Sequence, residues 1–129
     1  MKTRYNIFAQ IRSKNKTLLA ACTNSYTKSH PLQKFFAEKV GKPHNIYLHA
    51  EIRALIIASI QPHGQSHTLT VSRHGKDDKM LDAKPCIICL EAAEFFGIKR
   101  INYTTKNGWI YGKTVEELKN EYRSIYAND

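Results

Sequence analysis

Acidic side chains are nearly missing from the first third of this chain. Residues 1–48 hold Glu38 alone against nine Lys and Arg, a net charge of +8, whereas residues 49–129 are almost balanced at +1. That asymmetry favours phosphate-bearing partners; the plainer reading is a solvated basic surface. Long hydrophobic runs are missing too. The longest, residues 54–60, includes Ser59 and is far too short to span a bilayer, so no membrane partner is expected. Residues 1–16 carry a charge every few positions and no apolar h-region, which argues against a secretory signal and makes the cytoplasm the expected compartment. Cysteine is scarce, at three, and in a reducing compartment this points to metal binding or redox chemistry more than to a disulfide framework. Proline is limited to four and no low-complexity tract or repeat occurs, which leaves little room for disorder. A length of 129 residues, with 42% hydrophobic, can enclose a core as one domain, and no linker divides it.

The punctuation then sets out the elements. Apolar and polar residues mix over 5–13 and again over 17–23, around Lys14-Asn15-Lys16, which reads as a hairpin. Pro31 opens a short helix to about Val40, closed by Gly41. Ile46 to Leu48 lead into a second helix in which Ile52, Leu55, Ile56, Ser59 and Ile60 form a broad buried stripe. Gln61 to Ser66, with Pro62 and Gly64, closes it. A strand follows over 68–73, then a polar loop over 74–83, then a helix between Pro85 and Gly97. Asn107-Gly108 marks a tight antiparallel hairpin. Thr114 and Glu117 form a capping box for a last helix with Val115, Leu118, Tyr122 and Ile125 as its apolar stripe. The order β β α α β α β β α implies one mixed sheet with helices packed over it.

Two short motifs carry chemistry. Cys86 and Cys89 are three apart, share a helix face, and follow Pro85, which places Cys86 in a first turn where thiol pKa values fall. Two such thiolates suit a metal, although C-x-x-C alone also fits a redox pair. No second C-x-x-C and no H-x3-5-H completes a structural finger. His49, at the start of another predicted helix, makes a three-ligand set that leaves a fourth tetrahedral position open. Glu51 stands two residues on. Inside a helix it would point about 200° away from His49, but at a first turn both side chains reach past the helix end.

His49-Ala50-Glu51 followed by Pro85-Cys86-Ile87-Ile88-Cys89 resembles the H-x-E and P-C-x-x-C signature of zinc-dependent nucleobase deaminases. The resemblance extends over roughly residues 5–105. It implies a cytidine deaminase-like three-layer α/β fold, with a mixed β-sheet of about five strands flanked by helices. It further implies zinc on His49, Cys86 and Cys89, with Glu51 as the catalytic proton shuttle. By the same resemblance Ala50 contacts the base through its backbone N–H and Asn24 hydrogen-bonds the sugar. Lys28 and His30 then fall in the substrate loop as phosphate contacts. The implied reaction is hydrolytic removal of the amine from a cytosine nucleoside or nucleotide, by a homo-oligomer. The chain departs from many relatives in entering its first strand without a preceding helix, and Arg53 stands where deoxycytidylate deaminases usually carry asparagine. Its Asn107-Gly108 hairpin matches the free-cytidine branch, whereas many nucleotide- and RNA-acting relatives run the last two strands parallel.

Two other readings stay open at this level. The basic first third suits a deaminase acting on a base within single-stranded DNA or RNA, although no Lys/Arg run is interleaved with aromatics. Cys22 reads most simply as a small apolar strand residue. As a fourth ligand it would instead close the site and make the protein a non-catalytic zinc module. Tyr26, Tyr47 and Trp109 can stack on a base or serve packing.

Overall fold

Strand β1 (Ile7–Arg12) alternates buried Ala9 and Ile11 with Phe8, Gln10 and Arg12, and β2 (Leu18–Thr23) returns antiparallel to it, with Ala9 opposite Cys22 and Ile11 opposite Ala20. A computed structural model of the protein describes residues 6–25, 27–44, 47–58 and 67–127. The expected roles of Tyr5, Tyr26, Ile46 and residues 59–66, and of the Ile125 side chain, lie outside the described residues. In the β1–β2 turn, the Lys16 N–H reaches the Ser13 carbonyl at 2.9 Å, and Lys16 adopts a left-handed conformation with φ 67°. That conformation crowds a Cβ and costs roughly 1–2 kcal/mol, so glycine or asparagine is the usual occupant. Here Arg12 Nη1 donates to the Lys16 carbonyl at 3.1 Å and fastens the turn.

Helix α1 (Pro31–Lys39) starts where the sequence predicts, because Pro31 cannot donate and is preset for a first turn. His30 caps it: its Nδ1 accepts from the Leu32 N–H at 3.1 Å. At the other end Gly41, with φ 78°, lets the Lys42 N–H return to the Ala37 carbonyl at 2.8 Å. Helix α2 (Ala50–Ala58) buries Ile52, Ala54 and Leu55 against β1 and β2. After β3 (His67–Arg73), the segment read as a polar loop contains one 3₁₀ turn, Lys76–Asp78, and a bridge between His74 and Met80. Helix α3 (Ile87–Phe95) packs on α1, α2 and β4. Strands β4 (Ile98–Thr105) and β5 (Gly108–Lys113) form the antiparallel hairpin expected from Asn107-Gly108. Helix α4 (Val115–Ala127) opens with the expected capping box: Thr114 Oγ1 accepts from the Glu117 N–H at 3.1 Å, and Glu117 Oε1 accepts from the Thr114 N–H at 3.2 Å.

The result is a mixed five-stranded open sheet, ordered β2-β1-β3-β4-β5 and flanked by four helices, an α/β fold. Strand β3 runs antiparallel to β1 and parallel to β4. Register aligns Ile11 with Leu69 and Leu69 with Ile101, so one face of the sheet is a continuous apolar layer. Ile52, Leu55, Ile88, Leu90, Phe36 and Leu118 close over that layer, each fully or almost fully buried and each worth ~1.5–3 kcal/mol of transfer from water. The alternate positions Gln10, Thr68, Thr70 and Asn102 sit on the other face and stay half-buried. Among the described residues no helix is long and apolar enough to cross a membrane.

Candidate metal centre

Helices α2 and α3 begin near one another, at the sheet end where β1 starts and β3 finishes; for α3 this follows from the parallel crossover β3 to α3 to β4, which starts the helix where β3 ends. His49 lies directly before α2, and its backbone N–H is held by the fully buried Gln33 side chain of α1 at 3.1 Å. Cys86 is the N-cap of α3 rather than a first-turn residue, one position earlier than the sequence predicts, since Pro85 precedes the cap. Cys89 is fully buried one turn later. The structure thereby brings together the three residues proposed as ligands. His49 Nδ1 stands 3.3 Å from Cys89 Sγ and 3.5 Å from Cys86 Sγ, and the three ligand atoms lie within 4.8 Å of one another. A tetrahedral ion with bonds of ~2.3 Å to sulfur and ~2.0 Å to nitrogen requires N···S edges of about 3.5 Å. Both N···S separations match that edge, so the cluster could hold a metal ion.

Charge is shared unevenly among these groups. Cys86 falls to about 4, because the Cys89 thiol donates to its sulfur and, against the cost of burial, His49 adds a hydrogen bond and positive charge. Cys89 is pushed well above the ordinary thiol value by burial and by serving as that donor. Burial works against charge on His49, but the Cys86 hydrogen bond and thiolate charge outweigh it and raise the imidazole. The cluster therefore offers one thiolate ready-made, and a cation displaces the remaining protons. Glu51 is 4% exposed, and burial raises its carboxyl to about 7, with the Cys86 charge adding to the rise and a backbone N–H opposing it.

A cleft of about 270 Å³ opens onto the cluster, walled by Asn24, His49, Ala50, Glu51, Arg73 and Lys84 among others. Asn24 Oδ1 accepts from the Ile7 N–H at 2.9 Å, which ties the end of β2 to β1 and leaves the amide nitrogen for a ligand. Ala50 is fully buried, and its carbonyl accepts from the Cys22 thiol at 3.4 Å. That bond occupies Cys22 against the backbone of α2, and among the described residues Cys22 is not one of the clustered ligands. Lys28 and His30 do not line the cleft. The Lys28 backbone braces Leu48 and Ser25 while its side chain is exposed, and the His30 ring caps α1. Arg53 Nη1 donates to the Thr23 carbonyl at 3.2 Å, tying α2 to β2.

Two cations that line the cleft, Arg73 and Lys84, were not singled out from the sequence. Arg73 ends β3, and the C-terminal ends of parallel strands are where α/β sheets place ligands, so its position carried a usable signal. Lys84 directly precedes Pro85. Its ammonium meets Glu121 at 3.1 Å and lies 4.6 Å from the Tyr122 ring centroid. Tyr122 in turn donates its hydroxyl to the Pro85 carbonyl at 2.8 Å. Comparison with known proteins returns no matching family model and no matching curated protein.

Proposed function

We propose that the protein is a zinc-dependent hydrolytic deaminase that converts a cytosine nucleoside or nucleotide and water to the uracil form and ammonia. The observation that carries this reading is the position of Glu51, buried against the His49, Cys86 and Cys89 cluster and outside the ligand set. Two thiols and an imidazole are a zinc-type donor set, and these three residues would hold the ion. Zinc, when bound, supplies the Lewis acidity that makes water a nucleophile near neutral pH. Glu51 would take a proton from the attacking water and pass it to N3 of the pyrimidine as the C4–O bond forms. The same carboxyl would then move the proton of the new C4 hydroxyl to the amine, so that the C4–N bond breaks, ammonia leaves and the C4 carbonyl forms. Burial suits it to this work, because raising the carboxyl makes it a stronger proton acceptor. Ala50 and Asn24 line the same cleft, which supports a reading in which the first-turn N–H of Ala50 meets the base edge and the Asn24 amide nitrogen the sugar.

A free nucleotide is favoured by the modest cleft and by Arg73 and Lys84 on its wall, which suit a phosphate. The antiparallel β4–β5 hairpin also matches the free-cytidine branch that the sequence resembles. The positive first third supports a second reading, a base within single-stranded DNA or RNA. Exposed Phe35, Ile57 and Phe95 supply apolar surface for the homo-oligomer that the reading includes. The test is ammonia release from zinc-loaded protein offered cytosine and adenine nucleosides, their mono- and triphosphates, and short oligonucleotides. Release from a free cytosine compound supports the reading. Release only from oligonucleotides moves the substrate to the strand, and release from none makes the cluster a structural metal site.

A further inference from the structure

At the other end of the sheet from the metal cluster, and on its half-exposed face, lies a larger cleft of about 470 Å³. Its floor is polar: Thr68 and Thr70 of β3 and Asn102 of β4, with Asn102 Nδ2 3.3 Å from Thr70 Oγ1. Its rim is cationic, built from Arg12, Lys14 and Lys16 of the first hairpin and Lys99 of β4. No carboxylate lines it, and among the described residues none of these four cations makes an ion pair. Cations collected without counter-ions repel one another, so the arrangement calls for an anion. Lys16 adds an independent observation. It holds a left-handed turn position that disfavours any side chain, and the Arg12 guanidinium fastens that conformation through the Lys16 carbonyl. Backbone strain retained at a binding rim, and braced by a second rim residue, points to use of the lysine.

Aromatic surface lies on β5, the strand next to the β4 part of the cleft floor. Strand pairing puts Ile110 opposite Tyr103 on the core face, so Trp109 and Tyr111 stand on the face that holds the cleft. Their rings are stacked, with centroids 5.7 Å apart and an interplanar angle of 13°, and Tyr111 is 69% exposed. The Gly112 N–H donates to Asn102 Oδ1 at 2.8 Å, which fixes this strand against the cleft floor.

We propose that this face binds single-stranded nucleic acid, with the phosphodiester backbone along Arg12, Lys14, Lys16 and Lys99 and a base on the exposed Tyr111 ring. A free phosphate or a compact triphosphate needs neither a rim drawn from two separate segments nor a stacking surface beside it; a strand uses both. The cleft and the metal cluster lie at opposite ends of β1, which rises about 17 Å from Ile7 to Arg12. It is read by binding alone, so it stands or falls independently of the deaminase reading.

The test is fluorescence anisotropy of the full chain with a labelled mixed-sequence 12-nucleotide strand across 50–300 mM salt. Unlabelled tripolyphosphate, heparin and duplex of the same sequence serve as competitors. Four phosphates neutralised on a single strand give a slope of log affinity against log salt near −2.8. Lys14→Ala with Lys16→Gly should make that slope shallower by about 1.4, while the melting temperature holds or rises because glycine suits the turn. Tyr111→Ala should weaken the strand about tenfold or more and leave heparin unaffected. An unchanged slope in the hairpin variant overturns the site. Tripolyphosphate or duplex competing as well as the strand, or no effect of Tyr111→Ala, overturns the assignment to single strands.

Discussion

The Tyr122 hydroxyl donates to the Pro85 carbonyl at 2.8 Å, so α4 braces the turn that presents Cys86. Burial, with the Cys86 thiolate charge adding to it, raises this phenol to about 12, and it remains a donor throughout the physiological range. Tyr122→Phe should lower stability by ~1 kcal/mol, the usual value of one such bond, and should speed metal loss to a chelator. Urea unfolding of the metal-free form and chelator competition with the loaded form measure the two effects separately. Unchanged metal release would mean that the turn holds itself.

About one zinc per chain is expected in protein purified without chelators. Cys86→Ser and His49→Ala should lose it and melt at lower temperature, because ligation ties the start of α2 to that of α3. Cys22→Ala should keep the metal, since its thiol is engaged by the Ala50 carbonyl. Elemental analysis of the three variants decides this, and loss of zinc from Cys22→Ala would make the site a closed four-ligand module.

Glu51→Gln should retain zinc and melting temperature while turnover falls ~10⁴-fold or more. General acid–base roles typically contribute ~10²–10⁴, and the same carboxyl is used more than once per cycle. Equal turnover in parent and variant would refute the role. Loss of zinc together with activity would make Glu51 a ligand.

An ion cluster around a buried lysine predicts a specific acid weakness. Lys119 Nζ of α4, 6% exposed, contacts Glu91 of α3 and, at 2.8 Å, Glu94. Burial works against charge on both Glu91 and Lys119, but their mutual hydrogen bond and attraction outweigh it; Glu91 is lowered and Lys119 raised. A lowered carboxyl contributes stability above its unfolded value of ~4.3 that is lost as pH falls through the folded value. A raised ammonium contributes below its unfolded value of ~10.4 that is lost only at still higher pH. Lys119→Met should therefore cost roughly 2 kcal/mol at pH 7, as expected for hydrogen bonds to a charged group, and much less near pH 3. Urea midpoints of parent and variant at both pH values give the comparison. A difference that persists in acid would assign the effect to packing.

Much of this architecture was legible because its signals are local. Pro31 and Gly41 bound α1, Thr114 and Glu117 cap α4, and Asn107-Gly108 turns β4 into β5, each through chemistry confined to a few neighbouring residues. The candidate ligand trio was legible as well, since His49 and Cys86 both stand where a helix is expected to open, and the structure brings them together with Cys89. What escaped depends on residues distant in sequence. That Arg73 and Lys84 reach the cleft follows from β3 lying between β1 and β4, an order that no short window specifies. The capping role of His30 escaped too: its ring accepts the Leu32 N–H at the start of α1. The basic cleft escaped for the same reason: Lys99 meets the first hairpin only through sheet pairing.

The brace from Tyr122 to Pro85 also orders events in time. The ribosome delivers His49, Cys86 and Cys89 before it delivers α4, so a nascent chain displays its thiols before the helix that steadies them exists. A metal held by this cluster would then find its braced site only at the end of synthesis, and an interrupted chain would leave two unprotected cysteines open to oxidation.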